Sequence, residues 1–428
     1  MTELRVGMLG CGIVGTAVAD LLRSNGPEIS LRTGAALRLM RVAVAHPEKH
    51  RRTTFDPGIL TGSAAEVVAD PRVDVVAEVI GGLEPARTLL LDAIERGKSV
   101  VTANKQLMAR HGPELFAAAA RAGVDLRLEA SVGGGLPVIQ FLKESLAANH
   151  IREITGILNG TTNYILTKMA DEGCEFDRAL EEAQQRGFAE ANPTDDVDGH
   201  DAAAKLAILA TIAFHTPVRA DDVYREGIRR VSPQDMQFAR ELGYAVKLLA
   251  IAREDEGRVE AHVHPALVPL THPLAAIRNE FNAVFARGDA AGEMMIVGRG
   301  AGGLPTASAV VADLIDIARN RRTGARGRVG WDALEARPLR PMEEVACPFY
   351  LLMQVTDRPG VFARIATIFG EEAVSIASIV QKSRGQVADI VMVTHTALEA
   401  QMRRVLSRIE SLDVLHAVRD VIRVTDGG

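Results

Sequence analysis

Residues 190–214, EANPTDDVDGHDAAAKLAILATIAF, crowd carboxylates into a turn and then leave one lysine in an apolar run. Asp198 is suited to cap a helix that follows Gly199, which sets Asp201 and Lys205 four residues apart on one helical face. Across 202–214, Lys205 is the sole charge. A lysine so placed either stretches to water or sits partly desolvated, and the desolvated state suits proton transfer. Taken alone, the stretch favours the plainer account, an ordinary ion pair on the charged edge of a helix.

The elements that would position this chemistry begin at the chain start. Residues 4–9 have the pattern of a buried strand, and Gly10, Cys11, Gly12, Ile13, Val14 and Gly15 then open a helix through about residue 23. This is G-x-G-x-x-G between strand and helix, where glycines let backbone amides approach a pyrophosphate at the helix N-terminus. Further strands are expected at 39–45, 73–80, 99–103 and 124–130, with helices at 64–69, 85–96 and 104–121. The alternation predicts a Rossmann-like, doubly wound parallel sheet. The end of the second strand has Ala45 where an acid would hold a ribose hydroxyl, and Lys49, Arg51 and Arg52 follow Glu48. That balance leans towards NADP, with NAD possible. Two later strand ends, 81–85 and 102–105, should line the ligand crevice, which puts Thr102 and Lys105 near cofactor or substrate. Lys105 opens a helix, where the dipole disfavours a cation unless an anion is bound.

Residues 129–137, EASVGGGLP, expose carbonyls beside Glu129, so they suit either a hard monovalent cation or an inter-domain hinge. The physics of the turn alone favours the hinge. A strand at 151–158 ends in Asn159, Gly160, Thr161, Thr162 and Asn163, compact polar groups that suit a small polar substrate or a helix cap equally. Strands at 223–228, 261–268, 283–286 and 293–297 suggest a second, more open sheet. A helix at 306–320 would return to the first domain. Residues 321–348, rich in Arg, Gly and Pro, have the composition of a linker. The remaining elements, 349–355, 360–369, 375–381, 387–395, 398–409 and 418–424, follow the β-α-β-β-α-β order of a ferredoxin-like unit.

The chain of 428 residues has room for two or three domains, and 47% hydrophobic with 24% charged residues is ordinary for a globular protein. A net charge of -6 gives no reason to expect nucleic acid or an anionic membrane. The apolar runs are too short to span a bilayer, and no signal-peptide pattern opens the chain. Three cysteines without metal-ligand spacing suit a reducing compartment, so a cytoplasmic location is expected.

Seven motifs in order, GCGIVG, VIGGLEPA, VTANK, EASVGGGLP, GILNGTTNYIL, EANPTDDVDGHDAAAK and GRGAGGLPTASAVVADL, resemble those of homoserine dehydrogenase. The tail, with Asp357-Arg358-Pro359-Gly360 between strand and helix, resembles an ACT domain, a module that often senses amino acids. The resemblance implies a dinucleotide-binding domain at 1–136 completed by the helix near 305–320. It implies a substrate-binding and dimerisation domain at 137–304, a linker at 321–348 and a regulatory ACT domain at 349–428. It implies Lys205 as acid/base oriented by Asp201, with Lys105 near the nicotinamide as a second catalytic candidate. Glu190 and Asp196 would hold the substrate amino group beside Gly160 and Thr161, while Gly187 and Gly302 would lie near the cofactor. Glu129 with the backbone of Val132, Gly134 and Leu136 would form a sodium site, in place of the hinge. The implied reaction converts L-aspartate 4-semialdehyde and L-homoserine into one another. L-threonine is the implied inhibitor, bound around Asp357, Gly360 and Val361, and the implied assembly is a homodimer or homotetramer. Another amino-acid oxidoreductase acting at a C–N bond, or a non-catalytic amino-acid sensor, are the alternatives.

Overall fold

Six strands form an all-parallel sheet in the order Leu60–Thr61, Ala35–Ala43, Thr2–Leu9, Val75–Glu78, Ser99–Thr102, Leu126–Arg127. That is the 3-2-1-4-5-6 order of a doubly wound dinucleotide fold. The structure, a computed structural model, describes residues 2–48, 53–325 and 334–425. Lys49, Arg51 and Arg52, which bear on the choice of nucleotide, lie outside the described residues.

The chain divides into two compact units. The first comprises Met1–Ile154, Ala204–Asp222 and Val284–Arg337. Alternate residues Leu4, Val6 and Met8 of the central strand are buried in one cluster with Val310, Leu314 and Ile317 of the helix Gly303–Thr323. The first helix runs from Ile13 to Thr33, ten residues beyond its expected end. Asn25, Gly26 and Pro27 look like a break in sequence, but burial of Ala17, Val18 and Leu22 holds the earlier turns. A left-handed Gly34 then ends the helix. The strand expected at 124–130 shortens to Leu126–Arg127, because the Glu129 amide donates to Asp313 (2.9 Å) as a 3-10 turn begins.

The second unit comprises Thr155–Ala203, Val223–Ala283 and Pro338–Gly428. Its longest pairing is the antiparallel hairpin Tyr244–Asp255 with Arg258–Pro269, turned at Glu256 and Gly257, both at positive φ. The first of these strands is unforeseen in the sequence, since its apolar block lacks the period-2 alternation that marks a half-buried strand. The helix Pro233–Glu241 is also unforeseen, although Ser232 and Asp235 form a full capping box. The tail's strands lie in the order Leu415–Val424, Phe349–Thr356, Val387–Thr394, Ile376–Arg384. Helices Val361–Glu371 and Glu399–Glu410 bury Ile365, Phe369, Met402, Val405 and Ile409 against Phe349, Leu351 and Met353.

This ferredoxin-like sheet continues into the rest of its unit. Leu415–Val424 pairs in parallel with Arg258–Pro269 through Ala266–Arg423 and Leu267–Val424. The segment 321–348 is structured over its described part: the helix runs through Thr323, and Pro338, Leu339 and Arg340 pair along Val259. No helix among the described residues is long and apolar enough to cross a membrane.

Candidate active site

In the first unit the glycine turn is shaped by close approach. Gly10 adopts φ +100, and a Cβ on Gly15 would stand 2.4 Å from the Gly10 carbonyl oxygen. Gly12 has open space where a Cβ would be, and no side chain caps the helix it begins. The first-turn amides at Ile13 and Val14 therefore remain for a ligand, and Ile13 is 81% exposed beside them. This cradle fits a dinucleotide pyrophosphate.

Two later turns are tied by a buried acid that sequence reasoning passed over. Glu78 accepts hydrogen bonds from the amides of Ile80 and Gly81 (2.9 Å each) and from the Thr102 hydroxyl (2.6 Å). Asn104 donates to the Gly82 carbonyl (2.6 Å) and caps the helix Lys105–Ala122 by accepting from Leu107 N (3.1 Å). Thr102 is thus spent on holding the crevice in shape, and Lys105 stands half-buried at the first helical position. At the second strand end Ala45 is exposed, and Glu48 lies 3.4 Å from His46.

Glu129 is buried, its two carboxylate oxygens each accepting a backbone amide, from Ile139 and Gln140 (2.8 Å each). Burial pushes its carboxyl up to about 7 against these bonds, and burial likewise raises Asp313, which holds the Glu129 amide. The glycines that follow are required by packing. A Cβ on Gly134 would meet the Gly300 carbonyl at 2.7 Å, and one on Gly135 would meet Pro305 at 3.0 Å. No cluster of three or more His, Cys, Asp or Glu residues suited to a metal occurs among the described residues. A hard monovalent cation asks for fewer acids, and one buried carboxylate in a carbonyl-rich turn fits it. Gly302, at φ +123, begins the helix Gly303–Thr323.

In the second unit Asn159, expected in a polar loop suited to a substrate or a helix cap, is the organising side chain, and its link to the two acids was not foreseen. Its oxygen accepts from Thr162 N (2.8 Å) to cap the helix Gly160–Glu172. Its amide nitrogen donates both to Asp196 (2.7 Å) and to Asp201 (2.9 Å). An asparagine just ahead of an expected helix was the available signal. Gly160 has no room for a side chain, since a Cβ would lie 2.6 Å from the Glu280 carbonyl oxygen. The Thr161 hydroxyl donates to the Phe188 carbonyl (2.6 Å), so towards a ligand it can act only as an acceptor. Asn163 donates to the carbonyls of Ile277, Asn279 and Phe281. The expectation for Asp198 is corrected: it ends the short helix Thr194–Val197 and pairs with Arg229 at 2.6 Å, while the next helix starts at His200 after Gly199 at φ +81. Glu190 and Gly187 are exposed, Gly187 at φ +76.

The helix His200–Phe214 carries both Asp201 and Lys205, which are 5% and 8% exposed. In the tail, Asp357 accepts from Gln381 (3.3 Å) and Gly360 turns at φ +87. Val361 is buried in the tail's core, and its amide donates to the Arg358 carbonyl (3.4 Å), closing the turn.

A parallel 3-2-1-4-5-6 sheet with an open glycine cradle, followed by a mixed sheet and a βαββαβ tail, defines a nicotinamide-nucleotide-dependent oxidoreductase with an appended ACT domain. Residues 10–129 match the NAD-binding domain of homoserine dehydrogenase, 137–315 the homoserine dehydrogenase family model and 349–414 the ACT domain. The chain belongs to the homoserine dehydrogenase family. It is 47% identical to the Mycobacterium tuberculosis homoserine dehydrogenase over 99% of this chain and 98% of that protein. The crystal structure of a homoserine dehydrogenase from Thiobacillus denitrificans superposes with a TM-score of 0.93 at 44% identity, covering 100% of this chain and 99% of that one. A hyperthermophilic archaeal homoserine dehydrogenase solved in complex with NADPH gives 0.61 at 27% identity, over 74% of this chain and 98% of that one. The likeness extends to the end of the chain, which sets aside a non-catalytic sensor and an oxidoreductase acting at a C–N bond. The protein is an NAD(P)-dependent oxidoreductase of amino-acid biosynthesis acting on a CH–OH group.

Proposed function

We propose that Lys205 is the acid/base for interconversion of L-aspartate 4-semialdehyde and L-homoserine, with Glu190 and Asp196 holding the substrate ammonium. The observation that carries this is the Asn159 amide bridging Asp196 and Asp201, which locks the acid turn to the start of the helix bearing Lys205. The nicotinamide, when bound, supplies or takes up the hydride at the substrate's C4. As that carbon is reduced, negative charge grows on its oxygen, and a positioned ammonium that donates a proton there lowers the barrier by about two to four orders of magnitude in rate. Asp201, one turn before Lys205, orients it. Gly160 and Thr161 flank the substrate. Lys105, held by the Asn104 cap, is the second lysine, set near the nicotinamide with Gly187 and Gly302 beside the cofactor.

The chain prefers NADP in this reading, since exposed Ala45 offers no carboxylate to a ribose hydroxyl and so tolerates a phosphate there. Oxidation of NADPH and NADH with aspartate semialdehyde, followed at 340 nm, tests the assignment. Faster turnover with NADH overturns the preference, and no turnover with either overturns the substrate. The same assay with L-threonine reads the tail: inhibition that Asp357→Ala relieves is the expected result, and a full chain indifferent to threonine removes that effector. The outermost strand Ile376–Arg384 exposes Ile379 and Val380, which supports a homodimer or homotetramer paired through the tail sheets.

The buried Glu129 carboxylate and the backbone of Val132, Gly134 and Leu136 support a sodium site. With its carboxyl raised to about 7, Glu129 favours folding while protonated and costs about 3 kcal/mol once ionised above that pH. Stability from this group is present below the unfolded value and lost as pH rises through 7. A bound cation offsets that loss, so sodium chloride should raise Tm more at pH 8 than at pH 5, relative to choline chloride. Glu129→Gln should abolish the difference. An equal effect of sodium at both pH values removes the site.

A further inference from the structure

The contacts that fix the acid turn lead into the tail of the same unit. Gly227 lies so close to the turn that a Cβ would stand 2.3 Å from the Val197 carbonyl oxygen and 2.6 Å from the Asp198 Cα. Ile228 N donates to that same carbonyl (2.9 Å), and the Arg229 guanidinium grips Asp198 at 2.6 and 3.3 Å. Residues 224–229 thus form a strap seated on the turn that carries Asp196.

The other end of the strap pairs with the strand Arg258–Pro269, where Glu226 N donates to the Val263 carbonyl (2.7 Å), and its side chains are held by the tail. Glu226 accepts from Arg423 Nη1 (3.0 Å) and Nη2 (2.9 Å), and from the Tyr224 hydroxyl. Arg423 also reaches Glu399 through Nε and Nη2, both at 2.9 Å, and lies over the Tyr224 ring at 5.5 Å. Glu399 begins the tail's second helix and Arg423 lies in its last strand. Arg423 is 5% exposed, so its fork is withdrawn from water and its direction is set by these two acids. Gly227 and Arg229 border a cavity of about 560 Å³ that also touches Glu399, Met402 and Asp420. The strap is unpacked on that side and has room to shift.

We infer that Arg423 is a positioning residue for the substrate. Through Glu226 it fixes the strap, and the strap fixes the turn that presents Asp196, so the arrangement of the tail sets the affinity for the amino-acid substrate. The inference rests on the reading that Asp196 holds the substrate ammonium. A two-ended strap couples its ends only while both are clamped.

Full-length Arg423→Gln, Arg423→Lys, Arg229→Gln and Asp196→Asn are compared for homoserine KM, nucleotide KM, kcat and Tm. Arg423→Gln is expected to raise homoserine KM about fivefold or more while nucleotide KM stays within about twofold, with Arg423→Lys partly restoring it. Arg229→Gln, altering a side chain 45% exposed, should raise homoserine KM in the same direction, and it carries the test alone if Arg423→Gln does not fold. A lowered Tm with unchanged homoserine KM in these variants, or an equal rise in both KM values, overturns the strap. If only Asp196→Asn raises KM, the strap fails and the substrate reading stands. If the arginine variants raise homoserine KM and Asp196→Asn does not, Asp196 loses its role and the inference that the strap acts through it falls with that reading.

Discussion

Replacing Lys205 with alanine is expected to cut kcat by about 10²-fold or more while nucleotide affinity stays nearly unchanged. The side chain is 8% exposed, and it is the sole charge between Ala202 and Phe214, so few other groups on its helix could take over a proton. Removing a buried cation that orients with Asp201 leaves that buried acid uncompensated, so the variant is also expected to lose Tm, and kcat is read on protein shown to be folded. Lys205→Arg separates two contributions. A guanidinium keeps the charge beside a developing oxyanion but does not give up its proton at working pH. If proton donation dominates, the arginine variant is as poor as the alanine one. Pre-steady-state measurement of the hydride step in both variants checks this, and near-normal kcat for Lys205→Ala removes the assignment.

The second large effect is expected from Asn159→Asp, a change of one atom pair with the shape preserved. The retained oxygen still caps the helix at Thr162, but the nitrogen that donated to Asp196 and Asp201 becomes an acceptor facing two acceptors at 2.7 and 2.9 Å. Three carboxylates at such distances cannot all ionise, so one takes up a proton to hold the cluster together. Protonation in the folded state then supplies stability at low pH that is lost as pH rises. The Tm deficit against the parent should therefore grow from pH 5 to pH 8. Homoserine KM should rise about tenfold or more at pH 8 and recover towards pH 5. A deficit that does not change with pH, together with an unchanged KM, would show that the Asn159 bridge has no part in substrate binding.

The tail bears on how regulation can be studied. Its composition boundary near 321–348 suggests a detachable module, yet Leu415–Val424 pairs with Arg258–Pro269 and the Tyr350 hydroxyl donates to Asp235 at 3.1 Å. Removal of the tail would strip a sheet neighbour from the second unit and expose the hairpin's edge. Point substitutions at Asp357, Arg423 and Arg229 probe it without that loss.

Much of the architecture is local in origin and was legible in the sequence. The glycine turn follows a strand and opens a helix within fifteen residues, and the tail's six elements follow one another in the expected order. The helix at Ala64–Ala69 carries its own Ser63 cap and falls where the pattern predicts. Less legible were elements whose form depends on distant partners. The break signalled by Asn25-Gly26-Pro27 is overridden within a long helix packed on the core, and Tyr244–Asp255 lacks alternation because seven consecutive residues from Val246 to Ala252 are buried.

The stretch at 190–214 by itself determined the kind of chemistry available: acids in a turn, then one lysine in an apolar helix with Asp201 a turn before it. Tertiary structure alone decided how those acids are used. Asp198 leaves the helix start for Arg229, while Asp196 and Asp201 share one amide from Asn159, some forty residues earlier in the chain. It also decided that the glycines at 134 and 135 make room for a second glycine-rich segment more than 160 residues away. The physical reason is the same in each case. A hydrogen bond or a close backbone contact is a property of two positions, and the sequence states only one of them at a time.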